Sequence, residues 1–253
     1  LPRTPGVTRM IPPFTQRRGS VGQSGPPLVP GASVRGGSSG VKPADIVDIP
    51  RDSAYCFSGA TPFTVSFWYR RQAAPSSLAN WGPQNSPNSN QIYTNWDYGF
   101  MCNSLSHIFF FFLSAGVVSQ ATYNISVTNG TWYFVAGIFD GTKSTLYWNA
   151  ALSASGAVIT GVSNQATSHI EMFRTSYVSV QFQHDIDNLR IDNSALSGAD
   201  LTSLYNKTNP ATTATRLWKF NFSGDETIAG TPTASLGANC SYQTPVPGLP
   251  GES

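Results

Sequence analysis

From about Asp45 onward the chain alternates short runs rich in β-branched and aromatic residues with clusters of Gly, Pro, Asn and Ser, the pattern of strands separated by turns. In order the runs are "SAYCFSG" (Ser53–Gly59), "PFTVSFWYRR" (Pro62–Arg71), "YGFMCN", "HIFFFFLS", "TWYFVAGIFD", "STLYWN", "HIEMF", "VSVQF", "DIDNLRI" and "RLWKFNF". After the second run comes an 18-residue polar stretch, "AAPSSLANWGPQNSPNSN", which reads as an exposed loop. Trp132 to Phe139 is apolar on both alternating faces, so it belongs in the middle of a packed sandwich. Asp140-Gly141-Thr142-Lys143 then carries the Asp-Gly signal of a hairpin. Arg70-Arg71, closing an apolar run, reads as a solvated strand end. More than eight strands of this kind predict an all-β protein of two packed antiparallel sheets.

One segment breaks the strand period. After the alternating Ile186, Leu189 and Ile191, residues Leu201, Leu204 and Tyr205 fall at i, i+3 and i+4, one face of a helix. Ser197 with Asp200 reads as a capping box, and Leu196 with Leu201 stands at the positions of a hydrophobic staple. The spacing predicts a short helix over 198–205.

Length and composition narrow the class. A chain of 253 residues can bury a sizeable core, and sandwiches of this length are routinely one domain. Charged residues make up 11% and aromatics 12%, a β-rich, loop-rich balance. The longest apolar run, "HIFFFFLSAGVV", falls short of the roughly 20 residues a membrane helix needs, so no membrane span is expected. Leu1-Pro2-Arg3 does not lead into the apolar stretch of a signal peptide. Cys56, Cys102 and Cys240 lack C-x-x-C spacing and read as buried free thiols, with at most one internal disulfide.

Charge is unevenly distributed. Residues 1–44 hold Arg3, Arg9, Arg17, Arg18, Arg35 and Lys42 with no acid, a net of +6, whereas the remainder has nine bases and thirteen acids, a net of −4. The same 44 residues contain eight Gly and eight Pro. Such a segment buries too little apolar surface to offset its ordering entropy, so it reads as an extended arm that orders only against a partner. The expected organisation is a basic arm over 1–44, a sandwich over 45–230 and a Pro/Gly-rich C-terminal tail over 231–253.

Three ordered motifs carry a family resemblance: "FTVSFWYRR" (Phe63–Arg71), "TWYFVAGIFDGTKSTLYWNAAL" (Thr131–Leu152) and "DIDNLRIDNSALSGADLTSLYN" (Asp185–Asn206). They resemble the laminin-G-like branch of the concanavalin A-like lectin/glucanase jelly rolls over roughly Ser53 to Phe222. The resemblance implies a two-sheet antiparallel jelly-roll sandwich closed by the short helix. It further implies that Leu201, Leu204 and Tyr205 pack beneath the last strands, with "RLWKFNF" pairing afterward. One departure is Asn149-Ala150, where the family usually has Asn-Gly.

That fold hosts sugar binders and glycosidases alike, so function rests on the site. A glycosidase needs two carboxylates about 5–10 Å apart. The chain has three Glu, at 171, 226 and 252, and lacks the E-x-D-x-E cluster of the glucanase branch, so no enzymatic activity is expected. Asp185 and Asp187 share a strand face, but Asp187 matches the family's structural aspartate. His107, His169 and His184 sit in separate strands and read as surface or half-buried histidines. No cofactor is demanded; calcium is the one candidate, with Asp97 and Asp185 as oxygen donors. For sugar, Trp81 flanked by Asn80 and Gln84 is the first platform, and Trp96 beside Asn95 and Asp97 the second.

Two readings remain from different classes. In the first, the chain is a non-enzymatic structural protein, a jelly roll decorating a virus capsid of the tailed-phage kind. Its arm would then cover other subunits of the shell or copies of itself, with Arg9, Met10, Ile11, Phe14, Arg17, Arg18, Leu28 and Val29 as anchors. Six dispersed positive charges make a thin footprint for nucleic acid, which is not the expected partner. In the second, it is a secreted or cell-surface carbohydrate-binding module.

Overall fold

The computed structural model describes residues 33–36, 47–52, 57, 60–72, 84–86, 98–102, 107–114, 117–159, 168–172, 184–208, 210–211, 217–220, 235–236 and 241–243. Side chains are described at 57, 60–72, 98–100, 107–111, 119–159, 184–208 and 210–211. In chain order the strands are β1 (Ser33–Gly36), β2 (Val47–Asp52), β3 (Phe63–Arg71), β4 (Gln84–Ser86), β5 (Tyr98–Cys102), β6 (His107–Ser114), β7 (Val117–Asn124), β8 (Trp132–Phe139), β9 (Ser144–Trp148), β10 (Ala151–Ser155), β11 (Ser168–Met172) and β12 (His184–Asp192). Helix α1 (Gly198–Tyr205) follows, and then β13 (Leu217–Phe220), β14 (Ser235–Leu236) and β15 (Ser241–Gln243).

These strands form two antiparallel sheets. The first runs β10-β9-β8-β3-β12-β1-β15, with β13 also paired to β12; the second runs β14-β2-β11-β4-β5-β6-β7. The free edge of β12 is shared, since β1 pairs with its first residues and β13 with its last. Thus Ser33–Gly36, from the segment expected to be arm, lies in the first sheet with Ser241–Gln243 from the expected tail, and Ser235–Leu236 of that tail lies in the second.

Strand period places one aromatic set between the sheets. Phe63, Val65, Phe67 and Tyr69 on β3 join Val135 and Phe139 on β8 and Leu146 on β9. They meet Tyr98, Phe100, Ile108 and Phe110 of the second sheet in one buried cluster. Phe67 meets Phe100 edge-on at 4.9 Å, and Phe63 lies 4.7 Å from Tyr98. Each such side chain contributes about 1.5–3 kcal/mol by leaving water. At Gly137 the Phe110 ring occupies the space a Cβ would need, so the sheets approach closely there.

The opposite face of the first sheet is also covered. Trp68, Trp132, Phe134, Ala136 and Ile138 pack against Leu196, Leu201 and Leu204. The helix has the predicted bounds, capping box and staple: Asp200 N donates to Ser197 Oγ at 3.2 Å, Ser197 N donates to Asp200 Oδ2 at 3.0 Å, and Leu196 and Leu201 share a cluster. Its seat differs from the expectation. It packs on the outer face of β3 and β8, where Tyr205 stacks on Trp68 at 5.6 Å, because those strands supply the wide apolar surface. Both faces of β8 are therefore buried, as its continuous apolar run predicts.

Other expectations need correction. The polar stretch after Arg71 contains β4, which pairs with both β11 and β5, so part of it is sheet and not loop. Phe57, expected in a strand, lies outside one and is buried in the core. The expected strand "VSVQF" lies outside the described residues. The hairpins at either end of β9 follow turn chemistry. Asp140 Oδ1 accepts from the backbone N–H groups of Thr142 and Lys143, and Gly141 takes φ +99°. At the other end Asn149 (φ 49°) and Ala150 (φ 63°) form a left-handed two-residue turn, the geometry for which the family usually supplies glycine.

Candidate binding site at the sandwich rim

Alternation along β3 sends its two terminal arginines to opposite faces. Arg70 points outward and is 5% exposed, which corrects its reading as a solvated strand end. Its Nε and Nη2 reach Asp185 Oδ2 at 2.8 and 2.6 Å, Gln72 Nε2 donates to the same oxygen at 2.7 Å, and its Cζ lies 4.6 Å from the Trp132 ring centroid. Asp185, expected as a calcium donor, is fully buried and neutralises this guanidinium. Further along β12, Arg190 donates to both carboxylate oxygens of Asp192, each at 2.7 Å. Asp187 accepts from Asn188 N at 2.6 Å and from Asn188 Nδ2 at 3.1 Å. Asn188 has φ 49° at a register shift between Asp187 and Arg190, so Asp187 braces the bulge that returns Leu189 and Ile191 to the core. This gives the family's structural aspartate a physical task.

Arg71 points toward the inner side, at the end of the sandwich where residues 125–131 cross from β7 to β8. Its Nε donates to Asn129 Oδ1 at 2.8 Å, and its Nη2 donates to the Val127 carbonyl. Gly130 N donates back to the Arg71 carbonyl at 2.7 Å. Thr128 N donates to the Tyr133 hydroxyl at 3.0 Å, so Arg71 and Tyr133 grip the two ends of the Val127–Thr128 peptide group. Tyr133 stacks on Trp148 at 4.7 Å between ring centroids. Both rings are half-buried, resting on the core with Tyr123, Ile125 and Val127 beside them. The result is a rim with an aromatic stack, an exposed Asn129 amide and a held guanidinium.

Of the residues expected to bind ligand, Trp81, Asn80, Trp96 and Asp97 lie outside the described residues, as do the arm residues Arg9, Met10, Ile11, Phe14, Arg17, Arg18, Leu28 and Val29. Among the described residues no three His, Cys, Asp or Glu side chains gather as a metal site, and no helix is long and apolar enough to cross a membrane. His184 is fully buried, with its ring centroid 5.7 Å from that of Tyr69, more deeply placed than expected because β1 and β3 flank its strand. The rim residues Tyr133, Trp148 and Asn129 were not singled out by sequence pattern. Their signal was slight: Asn129-Gly130 marks a turn, and Trp148 closes a short alternating strand.

The sequence profile of the concanavalin A-like lectin/glucanases superfamily matches residues 35–202. This chain belongs to that superfamily. Among solved structures, the binding domain of Paraclostridial mosquitocidal protein 1 is similar at 13% identity, covering 69% of this chain and 43% of that one, with a TM-score of 0.56. The botulinum neurotoxin serotype G binding domain is 11% identical over 70% of this chain and 47% of that one, with a TM-score of 0.52. The receptor binding domain of botulinum neurotoxin D is 14% identical over 69% and 43%, with a TM-score of 0.50. The chain spans less than half the length of each, and at these identities the likeness is one of fold. No curated protein matches it.

Proposed function

We propose that this chain is a non-enzymatic, ligand-recognising module of an extracellular or surface-exposed protein, and that its ligand is a saccharide. The observation that carries this reading is the partly exposed Tyr133–Trp148 stack beside the Asn129 amide and the Arg71 guanidinium. Saccharides are recognised by that combination: an aromatic face takes the C–H face of a sugar ring, and planar polar groups take its hydroxyls. The similar solved structures are named as binding or receptor-binding domains, which supports recognition over catalysis. The carboxylates of Asp185, Asp187 and Asp192 are bonded to guanidinium or amide donors, and Asp140 and Asp200 shape a turn and a helix start. Each has a structural task distinct from that of a general acid. On sequence grounds Trp81 with Asn80, and Trp96 with Asp97, are further candidates for sugar contact, and Asp97 is a candidate calcium donor.

A second reading is favoured by the basic, Gly- and Pro-rich segment 1–44, with its net charge of +6. That segment attaches the module to a larger assembly with an acidic surface, of which a virion is one case. The two readings are compatible, one assigning the sandwich and the other the arm.

A glycan array probed with the full chain, together with a polysaccharide hydrolysis assay, tests the first reading. Capture of a defined saccharide class without hydrolysis is expected; hydrolysis, or no capture at all, overturns it. Deleting residues 1–32, which spares β1, should leave saccharide capture intact and abolish co-sedimentation with the assembly.

A further inference from the structure

The geometry points to an oxyanion subsite at Arg71: this guanidinium recognises a carboxylate or sulfate carried by an acidic saccharide whose ring lies on the Tyr133–Trp148 stack. The inference deepens the saccharide-binding reading and rests on it.

Three described arginines lie at least partly out of water, and their partners differ in kind. Arg70 and Arg190 each have a carboxylate at 2.6–2.7 Å. Arg71 has neutral oxygens, the Asn129 amide and the Val127 carbonyl, and no carboxylate among the described residues. Neutral acceptors orient a guanidinium without cancelling its charge. At this partly solvated rim the guanidinium is oriented without being neutralised by any described residue, which suits it to an anion supplied from outside.

The remaining donors define what that anion can be. Nε and one Nη2 hydrogen are engaged, which leaves the two Nη1 hydrogens and the second on Nη2 for a ligand. That set matches the paired oxygens of a carboxylate or sulfate better than a single hydroxyl. The aromatic stack is tied to the same peptide group as the guanidinium, so one sugar residue with an acidic substituent can touch both. Neither contact requires the loop to rearrange, because Arg71 already holds it through Val127 and Asn129, and Gly130 N closes it back onto Arg71.

The test compares matched saccharides on immobilised full-length chain: a neutral oligosaccharide, its uronic or sialic acid counterpart, its sulfated counterpart, and the carboxyl-reduced or desulfated form of each. Wild type should prefer the acidic forms, with affinity that falls as NaCl rises. Arg71→Met should lower affinity for them about ten-fold or more and remove the salt dependence, with a clearly smaller loss for the neutral saccharide, whose ring keeps the Tyr133–Trp148 stack. Trp148→Ala should weaken acidic and neutral forms together. Preference for the carboxylated arm alone, or the sulfated arm alone, identifies which oxyanion is read. If wild type binds neutral and acidic forms equally and Arg71→Met changes nothing, the subsite is wrong while the saccharide reading stands. If no saccharide binds, both fall. Thermal melting of Arg71→Met, expected within a few degrees of wild type, separates lost recognition from lost folding.

Discussion

Arg70 and Arg71 are consecutive residues of one strand, yet their surroundings are opposite. Arg70 lies on the outer face with its charge closed by Asp185, whose carboxylate Gln72 also holds, and by the Trp132 ring. Arg71 lies at the inner rim, oriented by an amide and a carbonyl, with no carboxylate beside it among the described residues. The outer face resembles a finished interior, whereas at the rim the described partners of the guanidinium are neutral. Position in the sequence alone therefore says little about role; what a charge is paired with separates the structural Arg70 from Arg71, proposed above to recognise an anion.

The largest effect should come from breaking the closed side. Asp185→Ala strands Arg70 as a buried cation and should cost about 3–5 kcal/mol in chemical denaturation. Arg71→Met should cost below about 1 kcal/mol, since the lost hydrogen bonds sit at a solvated rim. Equal losses for the two would erase the distinction. Next in size is the inner face, where Gly137→Ala drives a methyl group into the Phe110 ring and should destabilise by about 1–3 kcal/mol; Phe110→Leu in the same chain should recover part of it.

The turns flanking β9 sharpen the same contrast between satisfied and unsatisfied groups. Ala150 holds φ 63° where only glycine is unstrained, so Ala150→Gly should stabilise by about 1 kcal/mol and raise Tm by a few degrees. At the other end, partial burial acts to raise the Asp140 carboxyl. The Thr142 hydroxyl, the backbone N–H groups of Lys143 and Thr142, and the Lys143 charge together outweigh that effect and hold it below its ordinary value of 3.8. A lowered carboxyl contributes stability above its unfolded pKa and loses it as pH falls through the folded one. Asp140→Asn should therefore remove a small pH-dependent gain, about 0.5 kcal/mol at most because solvent screens the turn, visible above about pH 4 and absent well below it in paired melting curves.

Much of the fold was legible from local pattern. The helix over 198–205 follows from Leu201, Leu204 and the Ser197–Asp200 box, because capping and period are satisfied within a few residues. The burial of β8 on both faces follows from its unbroken apolar run. β4 was not legible: Gln84-Asn85-Ser86 has no strand propensity and is a strand only because β11 and β5 supply its hydrogen bonds. β1 and β15 escaped notice for the same reason, their pairing partners lying far away in the chain. Of the candidate site, Tyr133 and Trp148 met through the pairing of β8 with β9, and Asn129 reached Arg71 through the crossing from β7 to β8, neither of which the pattern along the chain displays.

Period, capping and turn chemistry act over a few residues, so the amino-acid order by itself determined the strands of the aromatic core, the helix and its ends, and the Asp140 hairpin. Charge pairing and face assignment depend on which strands lie side by side. Only the tertiary structure decided that Asp185 of β12 would neutralise Arg70, that the helix would sit on β3 and β8, and that the next arginine would stand at the rim held by the Asn129 amide and the Val127 carbonyl.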